Sequence, residues 1–301
     1  MARKEVGWDV MFPIIKRIVT GETTIAQAEI EERIDLLTIT KFRNLYLTGR
    51  APPVAPTPMI QSHPELPPPT PSQNATVLAI PDMHHPFVHQ DALAFLLEVR
   101  QTKRTNLALC LGDEIDAASF SRYIPDPDGM SPGKELAAAI DSLVPLYREF
   151  PDMLVCESNH TVRPWKKMFD AGLPSAFMPT YAKVLNAPDG WQWASRWVID
   201  DVLYIHGDNG KSGQYAAANY MKSAKRSVVI GHIHSFASVF YEGHHFAVNA
   251  GCLIDETAYC FKYAKNMLVK VNLGCAVVYE GKYAEFVPMR TDHHGRWIGR
   301  L

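Results

Sequence analysis

Five short apolar runs in this chain each end beside residues of the metal-binding type, and that pairing restricts the fold more than any other feature. Val77-Leu78-Ala79-Ile80 precedes Asp82-Met83-His84, and Leu107 to Leu111 precedes Gly112-Asp113-Glu114-Ile115-Asp116. Met153-Leu154-Val155-Cys156 precedes Asn159-His160, Val202 to Ile205 precedes His206-Gly207, and Ser227 to Ile230 precedes Gly231-His232-Ile233-His234. Apolar runs this short read as buried strands rather than helices. Strand ends in an α/β fold converge on one rim, so groups distant in sequence meet there. Two Asp, one Asn and four His gathered on one rim would make a site for two metal ions.

The rest of the chain divides by composition into three regions. Residues 1–50 are helical in character: Ile14, Ile15 and Ile18 share a face, Thr23 or Thr24 can cap a second helix with Ile25, Ala28 and Ile30, and Thr38 can cap a third with Phe42, Leu45 and Tyr46. Three such helices resemble a helix-turn-helix module, and a small bundle that docks on its own chain or on a partner is the alternative. Residues 51–72 hold nine prolines and read as an extended linker. From residue 73 to 301 the pattern is that of one large domain. Strands at 77–80, 107–111 and 153–156 alternate with helices from Gln90 to Thr102 and from Glu135 to Phe150, as in parallel sheets. Later, Tyr241-Glu242-Gly243-His244 and Tyr279-Glu280-Gly281-Lys282 read as hairpin turns. A parallel start and a hairpin-rich finish predict an α/β fold of two mixed β-sheets packed face to face and flanked by helices, a four-layer α/β/β/α sandwich.

Composition narrows the classes of function. A hydrophobic fraction of 47% and a charged fraction of 21% are ordinary for a globular protein. The net charge of −2 argues against coating nucleic acid by bulk electrostatics, though a local basic groove is compatible with it. No apolar stretch reaches the ~20 residues of a membrane span, and Met1-Ala2-Arg3-Lys4-Glu5 does not open a signal peptide. Five cysteines (110, 156, 252, 260 and 275), odd in number and without a C-x-x-C, fit free thiols in a reducing cytoplasm.

Taken in order, the five segments match D-x-H, G-D-x-x-D, N-H, H and G-H-x-H, and over roughly residues 75 to 255 the chain resembles the calcineurin-like metallophosphoesterase superfamily. Ser121-Arg122-Tyr123 ahead of Asp126-Pro127-Asp128, and Asn159-His160 with Arg163 following, are similar to its bacteriophage-type members. The resemblance implies that Asp82, His84, Asp113 and His234 hold one metal. Asp113 would bridge to a second, held also by Asn159, His206 and His232. It implies hydrolysis of a phosphoester by a hydroxide between the metals, with His160 as general acid and Asp116 orienting that imidazole. The mixed His and carboxylate donor set points to two divalent ions, Mn²⁺ first, with Fe or Zn²⁺ as alternatives. The third motif departs from the usual G-N-H-E/D: Ser158 and Thr161 replace the glycine and the acidic residue.

Arg122 and Arg163 are candidates for binding the substrate phosphate. His85 and His89 read as residues of a solvated loop, and His293 and His294 as exposed. Trp191, Trp193 and Trp197 read as packing over a sheet edge rather than as base-stacking platforms. For the substrate, a nucleic-acid diester (DNA or RNA) is preferred over a phosphomonoester on phosphoprotein or a small compound, and a noncatalytic scaffold stands third. No membrane partner is expected, and the oligomeric state is not encoded in these features.

Overall fold

In the N-terminal part of the chain, a threonine and a glutamine three residues apart start the second of three short helices. The computed structural model describes residues 8–20, 22–32, 34, 36–47, 74–121, 128–210, 212–258 and 271–301. The chain divides into two compact units, residues 1–61 and 62–301. In the first, α1 (Trp8–Val19) buries Met11, Ile14 and Ile15 against Ala28 of α2 (Ile25–Glu32) and Ile39 of α3 (Leu36–Leu47). Thr24 caps α2 reciprocally: its Oγ1 accepts the Gln27 N–H at 3.2 Å and Gln27 Oε1 accepts the Thr24 N–H at 3.1 Å. Thr38 is not a cap. Leu36 and Leu37 are good helix formers and start α3 two residues earlier, leaving Thr38 inside its first turn. The proline-rich stretch expected as a linker lies outside the described residues.

In the second unit, β1 (Thr76–Ile80), α4 (Ala92–Lys103), β2 (Leu107–Cys110), α5 (Pro132–Glu149) and β3 (Asp152–Cys156) follow the expected strand–helix alternation. Then come α6 (Arg163–Asp170), α7 (Tyr181–Leu185), β4 (Gly190–Ala194), β5 (Trp197–Ile199), β6 (Val202–Ile205), α8 (Ala216–Ala224) and β7 (Val228–Ile230). Two hairpins close the chain, β8 (Ala237–Glu242) with β9 (His245–Ala250) and β10 (Gly274–Tyr279) with β11 (Tyr283–Pro288). The first hairpin turns at Gly243 (φ 61°), as the sequence predicts, because glycine alone takes that backbone without cost.

The strands form two mixed sheets, one ordered β11-β10-β1-β2-β3-β4 and the other β5-β6-β7-β9-β8. In the first, β1 to β4 are parallel and β10 and β11 antiparallel. In the second, β6, β7 and β9 are parallel, with β5 and β8 antiparallel at the edges. Val77, Ala79, Leu109, Leu154 and Ala276 of the first sheet meet Trp197, Tyr204, Val229, Phe246 and Val248 of the second. The alternate residues Leu78, Ile80, Met153 and Val277 face the other way, onto Phe95 and Leu96 of α4 and Leu143 and Leu146 of α5. The outer face of the second sheet, Val228, Ile230 and Ala247, is covered by Ala217, Tyr220 and Met221 of α8. The domain is therefore a four-layer α/β/β/α sandwich. A strand covered on both faces needs apolar residues at every position, which is why β1 reads as a continuous run.

β4 carries two tryptophans in place of an apolar run and β5 is only three residues long, and both escape the sequence pattern. Trp191 is buried on the helix side and donates to Phe150 O at 2.8 Å; Trp197 is buried between the sheets and donates to Val155 O at 3.0 Å. They pack, as expected, and their rings are not available for stacking. Among the described residues no helix is long and apolar enough to cross a membrane. Cys110, Cys156, Cys252 and Cys275 are buried free thiols, and Cys260 lies outside the described residues.

Tyr204 sits fully buried between the sheets, and among the described residues its hydroxyl has no hydrogen-bond partner. Removing an unsatisfied buried hydroxyl at constant shape is neutral or favourable. Tyr204→Phe is expected to leave stability unchanged or raise it by about 1 kcal/mol in urea denaturation, while Phe246→Ala in the same layer loses about 3–5 kcal/mol. A loss above about 1 kcal/mol for Tyr204→Phe would show that the hydroxyl is satisfied in solution.

Candidate metal centre

All five segments sit just past the C-terminal ends of parallel strands: β1, β2 and β3 in one sheet, β6 and β7 in the other. The backbone there is unusual. His84 (φ 52°), Asp113 (φ 50°) and His232 (φ 65°) adopt left-handed conformations without being glycine. Each such residue costs on the order of 1–3 kcal/mol and persists where its surroundings over-determine it, a pattern concentrated at functional sites. Two glycines admit close approach. A Cβ at Gly112 would lie 2.7 Å from Ser158 Cβ, and one at Gly231 would collide with the Asp82 carboxylate.

The side chains fall into three overlapping groups, of which one, His84, Asp116 and His160, adjoins the two that centre on Asp113. Donor atoms of Asp82, His84, Asp113 and His234 lie within 4.8 Å of one another, and so do those of Asp113, His206 and His232. Asp113 belongs to both. Asn159 joins the second group, its Oδ1 2.9 Å from His206 Nε2. The imidazoles are oriented for ligation. His84 Nδ1–H donates to Asp116 Oδ1 at 2.6 Å, which turns Nε2 toward Asp113 Oδ2 at 3.3 Å. His206 Nδ1–H donates to Leu111 O at 3.0 Å and presents Nε2 to Asp113 Oδ2 at 3.4 Å. Carboxylate or carbonyl partners behind a ligating imidazole set its tautomer in this way. Asp82 Oδ2 accepts from His232 N–H and from His234 Nε2, both at 2.8 Å, while its Oδ1 is buried and, among the described residues, without a hydrogen bond.

The charges also suit a cation. Asp82 and Asp113 are fully buried, which alone would raise their pKa values. The surrounding imidazoles, His234 for Asp82 and His160 and His206 for Asp113, hold both below the ordinary carboxylate range. The compensation appears on His206. Burial disfavours its charge, yet Asp113 and Asp82 push it up to about 10. Burial first, and then a neighbouring imidazole, His160 and His206 respectively, lower the pKa values of His84 and His232. A proton on His206 thus stands where positive charge is demanded. Buried carboxylates, an orphaned carboxylate oxygen and oriented imidazoles fit a pair of metal ions.

His160 lies beside this cluster, its Nε2 3.8 Å from Asp113 Oδ2. The sequence reading placed Asp116 on His160 alone. In the structure Asp116 serves two imidazoles: Oδ1 is 2.6 Å from His84 Nδ1 and 3.1 Å from His160 Nδ1, and the shortest bond of His160 goes to the Asp116 backbone carbonyl, at 2.6 Å. Arg163, a candidate phosphate ligand by sequence, is engaged within the protein. Its Nη1 donates to Asp116 O at 2.9 Å and its Nη2 to His160 Nε2 at 2.9 Å. Burial and the Arg163 charge oppose protonation of His160, Asp113 and Asp116 favour it, and the balance is upward. The hydrogen bond accepted at Nε2 nevertheless requires a lone pair there, so with Arg163 in this position the imidazole is neutral. Arg122 lies outside the described residues. His85 and His89 are buried rather than solvated: His85 Nδ1 bonds Ser142 Oγ at 2.7 Å and His89 Nε2 bonds Gly295 O at 2.9 Å, because the chain after Asp82-Met83-His84 turns inward beneath α5 and the C-terminal segment. His293 and His294 are exposed, as expected.

The structure also accounts for the altered third motif. Ser158 Oγ accepts the Asp113 N–H at 2.9 Å and the Thr161 N–H at 3.2 Å, and lies 2.7 Å from Thr161 Oγ1. Thr161 Oγ1 donates to Glu114 Oε2 at 2.7 Å, and Trp193 Nε1 donates to Glu114 Oε1 at 3.0 Å. Ser158 therefore donates to Thr161, and Thr161 to Glu114, in a fully satisfied buried chain. The carboxylate that ends this chain is Glu114, adjacent to Asp113 in the second motif. Sequence reasoning gave Glu114 no role and Trp193 only a packing role, and the one cue to their link was an ionisable residue inside an otherwise buried motif. Burial raises the pKa of Glu114.

Neither a protein-family model nor a curated protein sequence matches this chain. Solved structures do align with it at low similarity. Vacuolar protein sorting 29 from Cryptosporidium parvum aligns with a TM-score of 0.37 and 12% identity over 69% of this chain and 86% of its own. The phosphoesterase YfcE from E. coli aligns with a TM-score of 0.33 and 14% identity over 61% and 83%. A predicted phosphoesterase from Streptococcus pneumoniae TIGR4 aligns with a TM-score of 0.30 and 14% identity over 68% and 88%. These likenesses are distant, and the site is defined by the chain's own geometry.

Thr161→Val removes the middle of the buried chain and strands Glu114 Oε2. Urea denaturation in EDTA is expected to show a loss of about 1–3 kcal/mol. Thr161→Ser, which keeps the hydroxyl, should lose about 1 kcal/mol or less. Equal stability of the valine and serine variants would remove the bracing role of the hydroxyl.

Proposed function

We propose that this chain is a metal-dependent phosphoester hydrolase, with Asp82, His84, Asp113, Asn159, His206, His232 and His234 as the metal ligands. The observation that carries this reading is Asp113, a buried carboxylate common to two ligand groups drawn from both sheets. Two divalent cations in such a site act as Lewis acids on phosphoryl oxygens and lower the pKa of water. Mn²⁺ suits the mixed His and carboxylate donors, with Fe or Zn²⁺ as alternatives.

The remaining steps belong to the chain's own atoms. Arg163 holds His160 Nε2 by a hydrogen bond, and a substrate phosphate competes for that guanidinium, which binds phosphate oxygens bidentately. Once Nε2 is released, it takes up a proton from solvent water, which Asp113 and Asp116 on either side of the imidazole favour, and passes that proton to the leaving oxygen, so the departing group leaves as the alcohol. Asp116 serves this step by orientation, through its backbone carbonyl and carboxylate. Ser158, Thr161 and Glu114 hold the Asn159-His160 loop to the backbone of Asp113.

In finer terms we read the substrate as a diester of nucleic acid. The support for this is the N-terminal unit, whose third helix exposes Lys41 and Asn44 with Arg43 partly exposed between them. Side chains of this kind reach phosphates and base edges.

Purified protein saturated with Mn²⁺ is expected to carry about two ions by elemental analysis, and Asp113→Asn one or none. His160→Asn should keep its metals and lose turnover by about 10²–10⁴-fold on an alkyl ester, but far less on bis-p-nitrophenyl phosphate, whose leaving group needs no proton. Two intact metals in Asp113→Asn, or equal losses on both esters in His160→Asn, would contradict the assignment.

For the nucleic-acid reading, removal of residues 1–50 should weaken DNA binding and flatten its dependence on salt. Hydrolysis of p-nitrophenyl phosphate in preference to its diester, with no salt-sensitive affinity for DNA or RNA, would favour a phosphomonoesterase.

A further inference from the structure

Behind the metal cluster lies a cavity of about 450 Å³ that the proposed reaction does not use. Its walls are apolar: Ile115 and Ala117 from the loop after β2, Leu136 and Ala139 from α5, and Trp165 and Met168 from α6. Three polar side chains reach it. Glu135 is buried, and its two oxygens accept the N–H groups of Ala118 at 2.6 Å and Ser119 at 2.9 Å. His85 is buried and tied to Ser142. Lys167 alone is exposed, and among the described residues no carboxylate pairs with it.

Protein interiors are packed nearly as densely as organic crystals, and voids larger than a water molecule are few. An apolar cavity of ~150 Å³ stays dry and is already large enough to hold benzene. This one is about three times larger, within the ~300–1,000 Å³ range of small-molecule sites. Water inside it would find too few polar partners to replace its hydrogen bonds. An apolar body fits the walls, and an anionic head fits the single unpaired cation at the edge.

The geometry points to a binding site for an amphipathic small molecule, with an alkyl or aryl body held between α5 and α6 and a carboxylate at Lys167. The site is separate from the metal centre but shares its framework. Ile115 and Ala117 flank Asp116, His85 follows His84, and Pro164 follows Arg163, so an occupant bears on the segments that position the metal ligands and His160.

The test is isothermal titration of the full chain in EDTA, with octanoate and its neutral counterpart 1-octanol as probes. Without metals, the carboxylate has no competing site at the cluster, so the result is independent of the hydrolase reading. Octanoate is expected to bind saturably at one site per chain, about two- to fivefold tighter than octanol, as an exposed ion pair allows. Lys167→Gln should erase that difference and leave octanol binding unchanged. Ala139→Phe fills the cavity and should abolish both, and Met168→Trp offers a second filling variant should Ala139→Phe fail to fold. The proposal is overturned by the absence of saturable binding, by equal affinity for the two probes, or by undiminished binding in a folded cavity-filling variant.

Discussion

The Asp113 carboxylate is buried where the two sheets bring their strand ends together, and the surrounding structure is organised around keeping it ionised there. An isolated buried carboxylate would normally take up a proton, since desolvation penalises the charge heavily. Here it faces His84, His160 and His206, and its residue is pinned in a left-handed backbone by the Ser158 hydroxyl. Each of those contacts depends on another. His84 is aimed by Asp116, His206 by a strand-end carbonyl, and Ser158 by Thr161 and Glu114. Removing one member exposes the others to uncompensated charge, which is why such networks behave as a unit.

Arg163 adds a second layer to this arrangement. A guanidinium beside an imidazole is ordinarily repulsive, yet it sits within hydrogen-bond distance of His160 Nε2 and also donates to the Asp116 carbonyl. The imidazole is thereby parked in a neutral form beside groups that favour its charge. In the proposed reaction, arrival of a phosphate is what reverses that balance, so the proton donor is armed by its own substrate.

Much of this was legible in the sequence because the governing signals are local. Strands buried on both faces appear as unbroken apolar runs, and β1, β2, β3, β6 and β7 were found on that basis together with the ligand-type residues at their ends. Glycines in the two hairpin turns marked β8 to β11. What escaped depends on contacts between distant segments. β4 and β5 are short and anchored by tryptophans that bond the carbonyls of Phe150 and Val155, so neither presents the long apolar run that marks the other strands. The burial of His85 and His89 depends on Ser142 and Gly295, far along the chain. The bracing role of Glu114 needs Thr161 and Trp193, 47 and 79 residues away. Thr38 misled for a simpler reason: a threonine can start a helix, but two leucines ahead of it had already done so.

One feature of the layout reaches beyond catalysis. The first sheet contributes Asp82, His84, Asp113 and Asn159 to the cluster, and the second contributes His206, His232 and His234. The interface between those sheets is apolar, and apolar contact is non-directional, so it tolerates small slippage of one sheet over the other. Ligand bonds do not. A metal site drawn from both layers, as in the proposed function, would be a rivet where the strand ends of the two sheets meet. Any sliding of the sheets would then be read directly as a change in coordination.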